Sequence, residues 1–321
     1  SLFPPYPSVI QGAIRSHHLV VKDVDLRDRK QIEATVGTAN DYRTLCMRGP
    51  FLAKKEGDKV IRYLPVPAHA VPGKEGYIAP TPRNQPDTVK TSAPTPMLLW
   101  SNEEPQKKEF GQWLREDRLC ELLKLGAKSA VVGESEANLF ARESRLGIAR
   151  DDTRRTTEEG ALYEVEFIRL HDHVGLFIEV EGYDGWPQSG IMRIGGEGRG
   201  ARFEEVKAEP WPAPSGSLPG RFLIYFATPT YFAQGWHPDS WQRFFEGEVT
   251  LQTAAVNRFQ SLGGFDWAKN DHKPARRYVP AGSVYFFTSD GHARLKPGLT
   301  QNAITDAGAE IGFGQILIGE W

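Results

Sequence analysis

The chain of 321 residues is long enough for about two domains, each with its own core. Its content of 40% hydrophobic and 25% charged residues is ordinary for a globular protein. The formal net charge of −2 argues against a uniformly basic nucleic-acid binder but is compatible with one local basic face. Cys46 and Cys120 lack the spacing of a metal site, and no apolar run of about 18 residues is present. We therefore expect a cytoplasmic protein with free thiols, no cofactor and no membrane segment.

The first 20 residues predict an extended start followed by one helix. Pro4, Pro5 and Pro7 fix the backbone φ angle and disfavour helix before them. Ser8 can cap a helix over residues 8–19, with its apolar side chains near one face.

The following part predicts an irregular segment and then a second helix. Nine prolines fall within residues 48–96, which favours an irregular insertion in which residues 60–64 form a short strand. Residues 105–125 have helical periodicity, with Pro105 at the start and Gly126 at the end.

A basic, turn-rich segment then runs into a strand. The Asp and Thr side chains of residues 150–160 can bond their own backbone, which predicts a loop. Alternating apolar residues over 161–170 predict a strand, and residues 174–180 predict a second strand that pairs with it as a hairpin. Five arginines precede or enter the loop: Arg142, Arg145, Arg150, Arg154 and Arg155.

Residues 191–203 combine glycines with arginines. Glycine permits positive φ and close approach of another backbone, and the arginines add positive charge. The segment lacks the strand-to-helix form of a nucleotide-binding loop, so an anion-facing loop and an ordinary tight hairpin both remain open. The residues concerned are Gly195, Gly196, Gly198, Gly200, Arg193, Arg199 and Arg202.

The last third predicts a linker and further strands. Residues 209–219 have the composition of a linker, and strands are expected over 221–227, 249–255, 284–287 and 316–318. Lys269, Lys273, Arg276 and Arg277 lie between Trp267 and Tyr278, a mixture of cations and aromatic rings that suits unpaired RNA. Strands and helices in two halves indicate an α+β fold.

Several segments, in order, resemble one known family. One runs from Gly147 to Phe167 with the pattern GIxxDxxxxTxEEGxLYxxEF, a second is KPARRYVPAGSVYF over 273–286, and a third is GFGQ followed by the end at Trp321. Residues 1–15 also resemble the first helix of this family, although the strand and loop that normally precede it are not seen. The family is that of the third subunit of the type III-B CRISPR effector, the Cmr complex, a group-5 member of the repeat-associated RNA-binding (RAMP) superfamily.

The resemblance implies two ferredoxin-like, RRM-related domains over residues 1–212 and 213–321, with a long insertion at about 40–145 and the first strand apparently missing. It implies a non-catalytic subunit that binds the 5′ handle of the guide RNA (crRNA). Its protein partners would be the large polymerase-like subunit and the backbone subunits of the complex. The expected RNA contacts are Ser8, Gln11, Gly12, Arg15, Arg150, Arg154, Arg155, Gly195, Gly196, Gly198, Arg199, Lys273, Arg276 and Arg277.

Other functions remain open. His17 or His18 could act as general acid or base on a 2′-hydroxyl in a metal-independent endonuclease that processes repeat RNA. His171 and His173 could begin a metal site, but the sequence offers no third ligand at a useful spacing. An adaptor that contacts only protein, or the equivalent subunit of a sibling type III complex, is also compatible with the sequence.

Overall fold

The computed structural model describes residues 3–124, 130–150, 157–195, 198–214, 216–266 and 271–321, without the side chains of 148–150, 157–163 and 265–266. The helices are α1 (Pro7–Val21), α2 (Arg29–Val36) and α3 (Glu116–Leu122). The strands are β1 (Cys46–Glu56), β2 (Lys59–Pro65), β3 (Val71–Pro72), β4 (Tyr77–Ile78), β5 (Thr81–Asn84), β6 (Met97–Trp100), β7 (Trp113–Arg115), β8 (Phe140–Arg150), β9 (Thr157–Leu170), β10 (Val174–Glu181), β11 (Ser189–Ile194), β12 (Arg199–Glu204), β13 (Arg221–Phe226), β14 (Phe245–Glu246), β15 (Val249–Ala255), β16 (Gln260–Asp266), β17 (Asp271–Tyr278), β18 (Val284–Ser289), β19 (Arg294–Leu295) and β20 (Ile316–Glu320).

The mixture of helices and strands confirms the predicted α+β class. No helix in the described part of the chain is long and apolar enough to cross a membrane. Helix α1 begins one residue earlier than predicted, with Pro7 in its first turn, where the missing N–H costs no hydrogen bond. Ser8 therefore lies inside the helix and does not cap it. Helix α2 was not predicted; the Asp28 carboxylate caps it by accepting hydrogen bonds from the N–H groups of Lys30 and Gln31.

The helix predicted over residues 105–125 is wrong in its first half. Only Glu116–Leu122 is helical, and Trp113–Arg115 forms β7 instead. Strand β7 pairs antiparallel with β2, with Arg115 opposite Tyr63. Pairing with a strand distant in sequence has overridden the local helical pattern.

The first large sheet has the strand order β10-β1-β2-β7, with antiparallel neighbours throughout. Strand β2 confirms the strand predicted over residues 60–64. The prediction of an irregular segment is wrong for β1, which together with β2 forms the centre of this sheet. The proposed insertion at about 40–145 therefore contains part of the core, because Phe51, Leu64 and Leu114 of these strands are buried.

Strands β8 and β9 pair with each other and not with the first sheet. The predicted hairpin of β9 with β10 is therefore wrong, although both strands exist. Strand β10 pairs with β1, with Val174 opposite Lys54. The predicted loop over 150–160 is wrong at both ends, because β8 continues to Arg150 and β9 begins at Thr157. Residues 151–156 lie outside the described residues.

The second large sheet has the order β15-β18-β13-β20, again with antiparallel neighbours. It confirms the four strands predicted in the last third of the chain. The remaining strands form two-stranded ladders: β3 with β4, β5 with β6, β11 with β12, β14 with β19, and β16 with β17.

One hydrophobic core joins the two large sheets. Phe51 of the first sheet and Tyr225 and Phe286 of the second belong to the same buried cluster. Trp211, in the segment predicted as a linker, lies in this cluster with 7% exposure and stacks on Phe51 with ring centroids 4.7 Å apart. Its indole N–H donates to the carbonyl of Ile316 at 3.0 Å. The segment 209–219 is thus anchored between the sheets, and the division into two ferredoxin-like domains stays a prediction.

A charge network lies beside Trp211. The guanidinium of Arg62, 3% exposed, pairs with the carboxylates of Glu116 and Glu179. Glu179 also pairs with Arg48, which donates through Nε to the Gln315 side-chain oxygen at 2.9 Å. The bond from Arg48 to Gln315 connects the first sheet to the residue immediately before β20 of the second sheet. Polar groups and apolar packing therefore stabilise the same interface.

Candidate nucleic-acid interface

Helix α1 presents one face to the core and one to solvent. Ile10 and Ile14 are buried in a cluster with Met47 of β1 and with Leu45, which immediately precedes β1. The opposite face carries Ser8 and Gly12, both exposed. A Cβ built on Gly12 meets no atom within 4 Å, so another molecule can come close to the helix backbone there.

Two other predicted contacts on α1 are partly occupied by the protein itself. Gln11 is buried. Arg15 is half-buried, donates to the Thr38 carbonyl at 2.9 Å and lies over the Tyr42 ring at 5.6 Å. Arg15 Nε is buried and has no hydrogen-bond partner among the described residues, so the guanidinium keeps unused bonding capacity.

The glycine-rich segment joins β11 and β12, which pair as an antiparallel hairpin. Gly195 and Gly198 have φ angles of 74° and 61°, and the Gly198 N–H donates to the Gly195 carbonyl at 3.1 Å. Gly196 lies outside the described residues. The Arg199 guanidinium lies 4.0 Å from the Phe167 ring centroid, so it is directed at β9.

Strand β17 is a row of exposed residues with a basic centre. Lys273, Arg276 and Arg277 are all exposed. No carboxylate in the described ranges pairs with any of these three. Arg276 lies over Tyr231 at 4.9 Å and Arg277 over Phe259 at 4.7 Å, so the two neighbouring guanidinium groups contact rings on opposite faces of the strand.

Elements from three distant parts of the chain meet at one cluster beneath these residues. It contains Ile14 of α1, Ile194 of β11, Leu262 of β16 and Tyr278 of β17, together with Phe313 from the last loop. The Tyr278 ring lies 5.0 Å from that of Phe313 and 5.4 Å from that of Tyr231. We call the exposed surface above this cluster, formed by α1, the β11–β12 hairpin and β17, the three-element face.

The loop that completes this cluster was not among the predicted site residues. Gly312 has φ of 97°, and a Cβ at this position would lie 2.3 Å from the Gly49 carbonyl oxygen of β1. Phe313 follows and packs on Tyr278. The Gly312-x-Gly314 spacing was a visible signal for a close approach of two backbones, but it did not show which strand would be approached.

The arginines before β9 are engaged with acidic neighbours. Arg142 pairs with Glu136 and with Glu166, the latter at 2.7 Å. Arg145 lies 3.5 Å from Glu143. Arg150 ends β8, and its side chain lies outside the described residues, as do Arg154 and Arg155 entirely.

His17 and His18 belong to an aromatic group between α1 and the β11–β12 hairpin. His18 stacks on Tyr183 with centroids 3.8 Å apart, and its Nδ1 accepts from the Trp186 indole at 3.0 Å. His17 contacts the edges of Trp186 and Phe203 at 4.8 Å and 5.2 Å, and its Nε2 is buried without a partner. Burial is the main cause that lowers the pKa of both imidazoles, which favours their neutral forms.

The paired histidines before β10 do not form part of a metal-ligand group in the described structure. His171 contacts the Ala137 carbonyl through Nε2 at 2.9 Å, and His173 has a φ of 64° in the connection to β10. Among the described residues, no three His, Cys, Asp or Glu side chains are grouped so that they could hold a metal ion.

Comparison with known proteins gives one family. The model of the family described as CRISPR-associated protein (Cas_Cmr3) matches residues 1–321. A cryo-EM structure of the type III-B Cmr-beta complex bound to cognate target RNA contains a similar chain, with 15% identity and a TM-score of 0.50, covering 89% of this chain and 76% of that one. The same complex with target RNA and AMPPnP, in state 1, contains a chain with 14% identity and a TM-score of 0.49, covering 89% and 78%. No curated protein matches the sequence.

Proposed function

Because the chain belongs to the Cas_Cmr3 family of CRISPR-associated proteins, we propose that it is a non-catalytic subunit of a type III-B CRISPR effector that binds the 5′ handle of the guide RNA. Docking on the large polymerase-like subunit and on the backbone subunits is part of the same proposal. The similar chains come from the type III-B Cmr-beta complex bound to target RNA, which supports this assignment.

The observation that carries the proposal is the three-element face. Exposed cations of β17, which have no carboxylate partner among the described residues, lie beside aromatic rings, and α1, which carries the exposed Gly12, packs on the same underlying cluster through Ile14. Cations neutralise phosphates, and a helix without a side chain at Gly12 permits close approach of a sugar-phosphate backbone. A local basic face of this kind is compatible with a net charge of −2.

The geometry around the histidines supports a role without catalysis. His18 is stacked and hydrogen-bonded within the protein, and His17 contacts the rings of Trp186 and Phe203. A general base has to reach the 2′-hydroxyl within hydrogen-bond distance, and these contacts hold both imidazoles against other side chains.

The test is a titration of labelled guide RNA, with intact or scrambled 5′ handle, into the chain together with its large-subunit partner in EDTA. The double variant Lys273→Glu/Arg276→Glu reverses two exposed, unpaired charges of β17, so its affinity for the intact handle is expected to fall by at least about tenfold. Arg118→Glu is the control, a charge reversal at an exposed arginine of α3 that pairs with Glu121.

Each result has a definite reading. Handle-dependent binding that the β17 variant weakens and the control preserves supports the proposal, provided a denaturing gel shows uncut RNA. Cleaved RNA contradicts the non-catalytic role and favours the repeat-processing nuclease. Partner binding with no affinity for the guide identifies a protein-only adaptor.

A further inference from the structure

A ring outside the three-element face has the environment of a base-stacking site. Phe259 is a large apolar side chain with 47% exposure, immediately before β16. A single exposed phenylalanine is normal on a protein surface, but here Arg277 lies over its ring at 4.7 Å. The exposure shows that the guanidinium does not enclose the ring.

The two rings contacted by β17 are on opposite sides of the hairpin. Arg277 is opposite Ser261 in the ladder, so these two side chains share one face, and Phe259, just before β16, contacts the Arg277 guanidinium on that face. Arg276 is opposite Leu262, which is buried in the cluster beneath the three-element face. Phe259 and Arg277 therefore lie on the outer face of the β16–β17 hairpin.

The charges around Phe259 favour an anionic partner. Arg258 precedes the ring, is exposed, and like Arg277 has no carboxylate partner in the part of the chain that is described. Asn257 is also exposed, and its amide can donate to and accept from the edge of a flat ring. An unpaired nucleotide offers both features that this arrangement fits, a π face for Phe259 and a phosphate for the arginines.

Resting on the proposed RNA-binding function, we propose that Phe259 and Arg277 form a stacking site for an unpaired nucleobase on the outer face of the β16–β17 hairpin. Among the described residues, β17 has β16 as its only ladder partner, so its other edge is unpaired as far as Tyr278, and Val279 just beyond it forms an antiparallel bridge with Thr230. An RNA strand bound at Arg276 on the inner face can cross this edge and stack one base on Phe259. The hairpin would then be contacted by RNA on both faces.

The experiment uses the full chain and a fluorescent oligouridine that carries one 5-iodouridine, a base that crosslinks efficiently to aromatic side chains under ultraviolet light. Mass spectrometry of the wild-type crosslink is expected to identify Phe259. Phe259→Ala is expected to lower the affinity by about tenfold, the size of one lost base stack, whereas Phe259→Tyr keeps the ring and the affinity. Val132→Ala truncates another exposed apolar side chain and is expected to change nothing.

The outcomes separate this inference from the proposed function. One outcome refutes only the stacking site. In it, the wild-type chain binds guide RNA and the β17 double variant weakens that binding, but the wild type gives no crosslink at Phe259 and Phe259→Ala binds oligouridine normally. If the chain with its large-subunit partner binds no RNA at all, both proposals fail. If Phe259→Ala weakens binding of a protein partner and leaves RNA affinity unchanged, the ring belongs to a protein interface and the stacking site is again refuted.

Discussion

Replacement of His69 by leucine tests the interface between the two large sheets. His69 is 3% exposed, its ring meets Phe286 edge-on at 5.3 Å, and its Nδ1 has no hydrogen-bond partner within the described part of the chain. The neighbouring Ala68 N–H donates to the Gly282 carbonyl of the second half at 2.8 Å. A proton on this imidazole would therefore place an unpaired charge inside the shared core.

The magnitude follows from the pKa. Burial lowers the pKa of His69 from 6.5 to about 4 in the folded protein. As the pH falls, the unfolded chain binds this proton before the folded protein does. The stability that the neutral His69 contributes is therefore fully present above pH 6.5 and is lost progressively toward pH 4. Each pKa unit corresponds to about 1.4 kcal/mol. Protonation linked to His69 therefore lowers the free energy of unfolding by about 2 kcal/mol at pH 5 and by about 3 kcal/mol below pH 4.

The assay is urea unfolding, followed by circular dichroism, at a series of pH values between about 7.5 and 4.5. The wild type and His69→Leu share all carboxylates, so the difference between their pH profiles reports His69. The difference is expected to change by about 2 kcal/mol between pH 7 and pH 5 in favour of the variant. His292→Leu, at an exposed histidine, is the control and is expected to follow the wild type. Parallel profiles for wild type and His69→Leu would refute the reasoning, whatever their vertical offset.

Three further variants test packing and backbone geometry. Trp211→Ala removes the ring between the sheets and is expected to lower the free energy of unfolding by about 3–5 kcal/mol in urea; a loss below about 1 kcal/mol would contradict the shared core. Gly12→Ala adds a methyl group in open space on α1 and is expected to raise that free energy by about 1 kcal/mol, so any decrease in the melting temperature would argue against the exposed helical face. Gly312→Ala brings Cβ to 2.3 Å from the Gly49 oxygen at a φ of 97°, and a clear fall in melting temperature is expected. Gly291→Ala is the matched control: its φ of 82° imposes similar backbone strain, but its Cβ meets no described atom within 4 Å, so its fall is expected to be smaller.

The second sheet could be predicted because its strands have local signals. Phe222 to Phe226 and Val284 to Phe287 are short apolar runs bounded by turn residues, and both are buried almost throughout. The first sheet could not be predicted, because β1 pairs with β10 across more than one hundred residues and nothing local indicates that partner. The same limit explains why β10 was assigned to a hairpin with β9 and not to the edge of β1.

The candidate site was predictable in its charges but not in its packing. The basic character of β17 and the glycine hairpin were visible in the sequence, since both depend on residue type alone. The contacts of Tyr231 and Phe259 with neighbouring arginines were not visible, because they depend on which faces the strands present. Arg199, expected to contact RNA, lies over Phe167 because the hairpin turns that side chain toward β9.

The core that the two large sheets share has a consequence for biosynthesis. Phe51 and Leu64 are made early, whereas Tyr225, Phe286 and Leu317, which complete the same core, are made last. During translation the apolar face of the first sheet is therefore uncovered until β20 has left the ribosome, and such a face is prone to aggregation. We expect ribosome-bound chains that end near residue 212 to recruit chaperones and to resist isolation as a folded fragment.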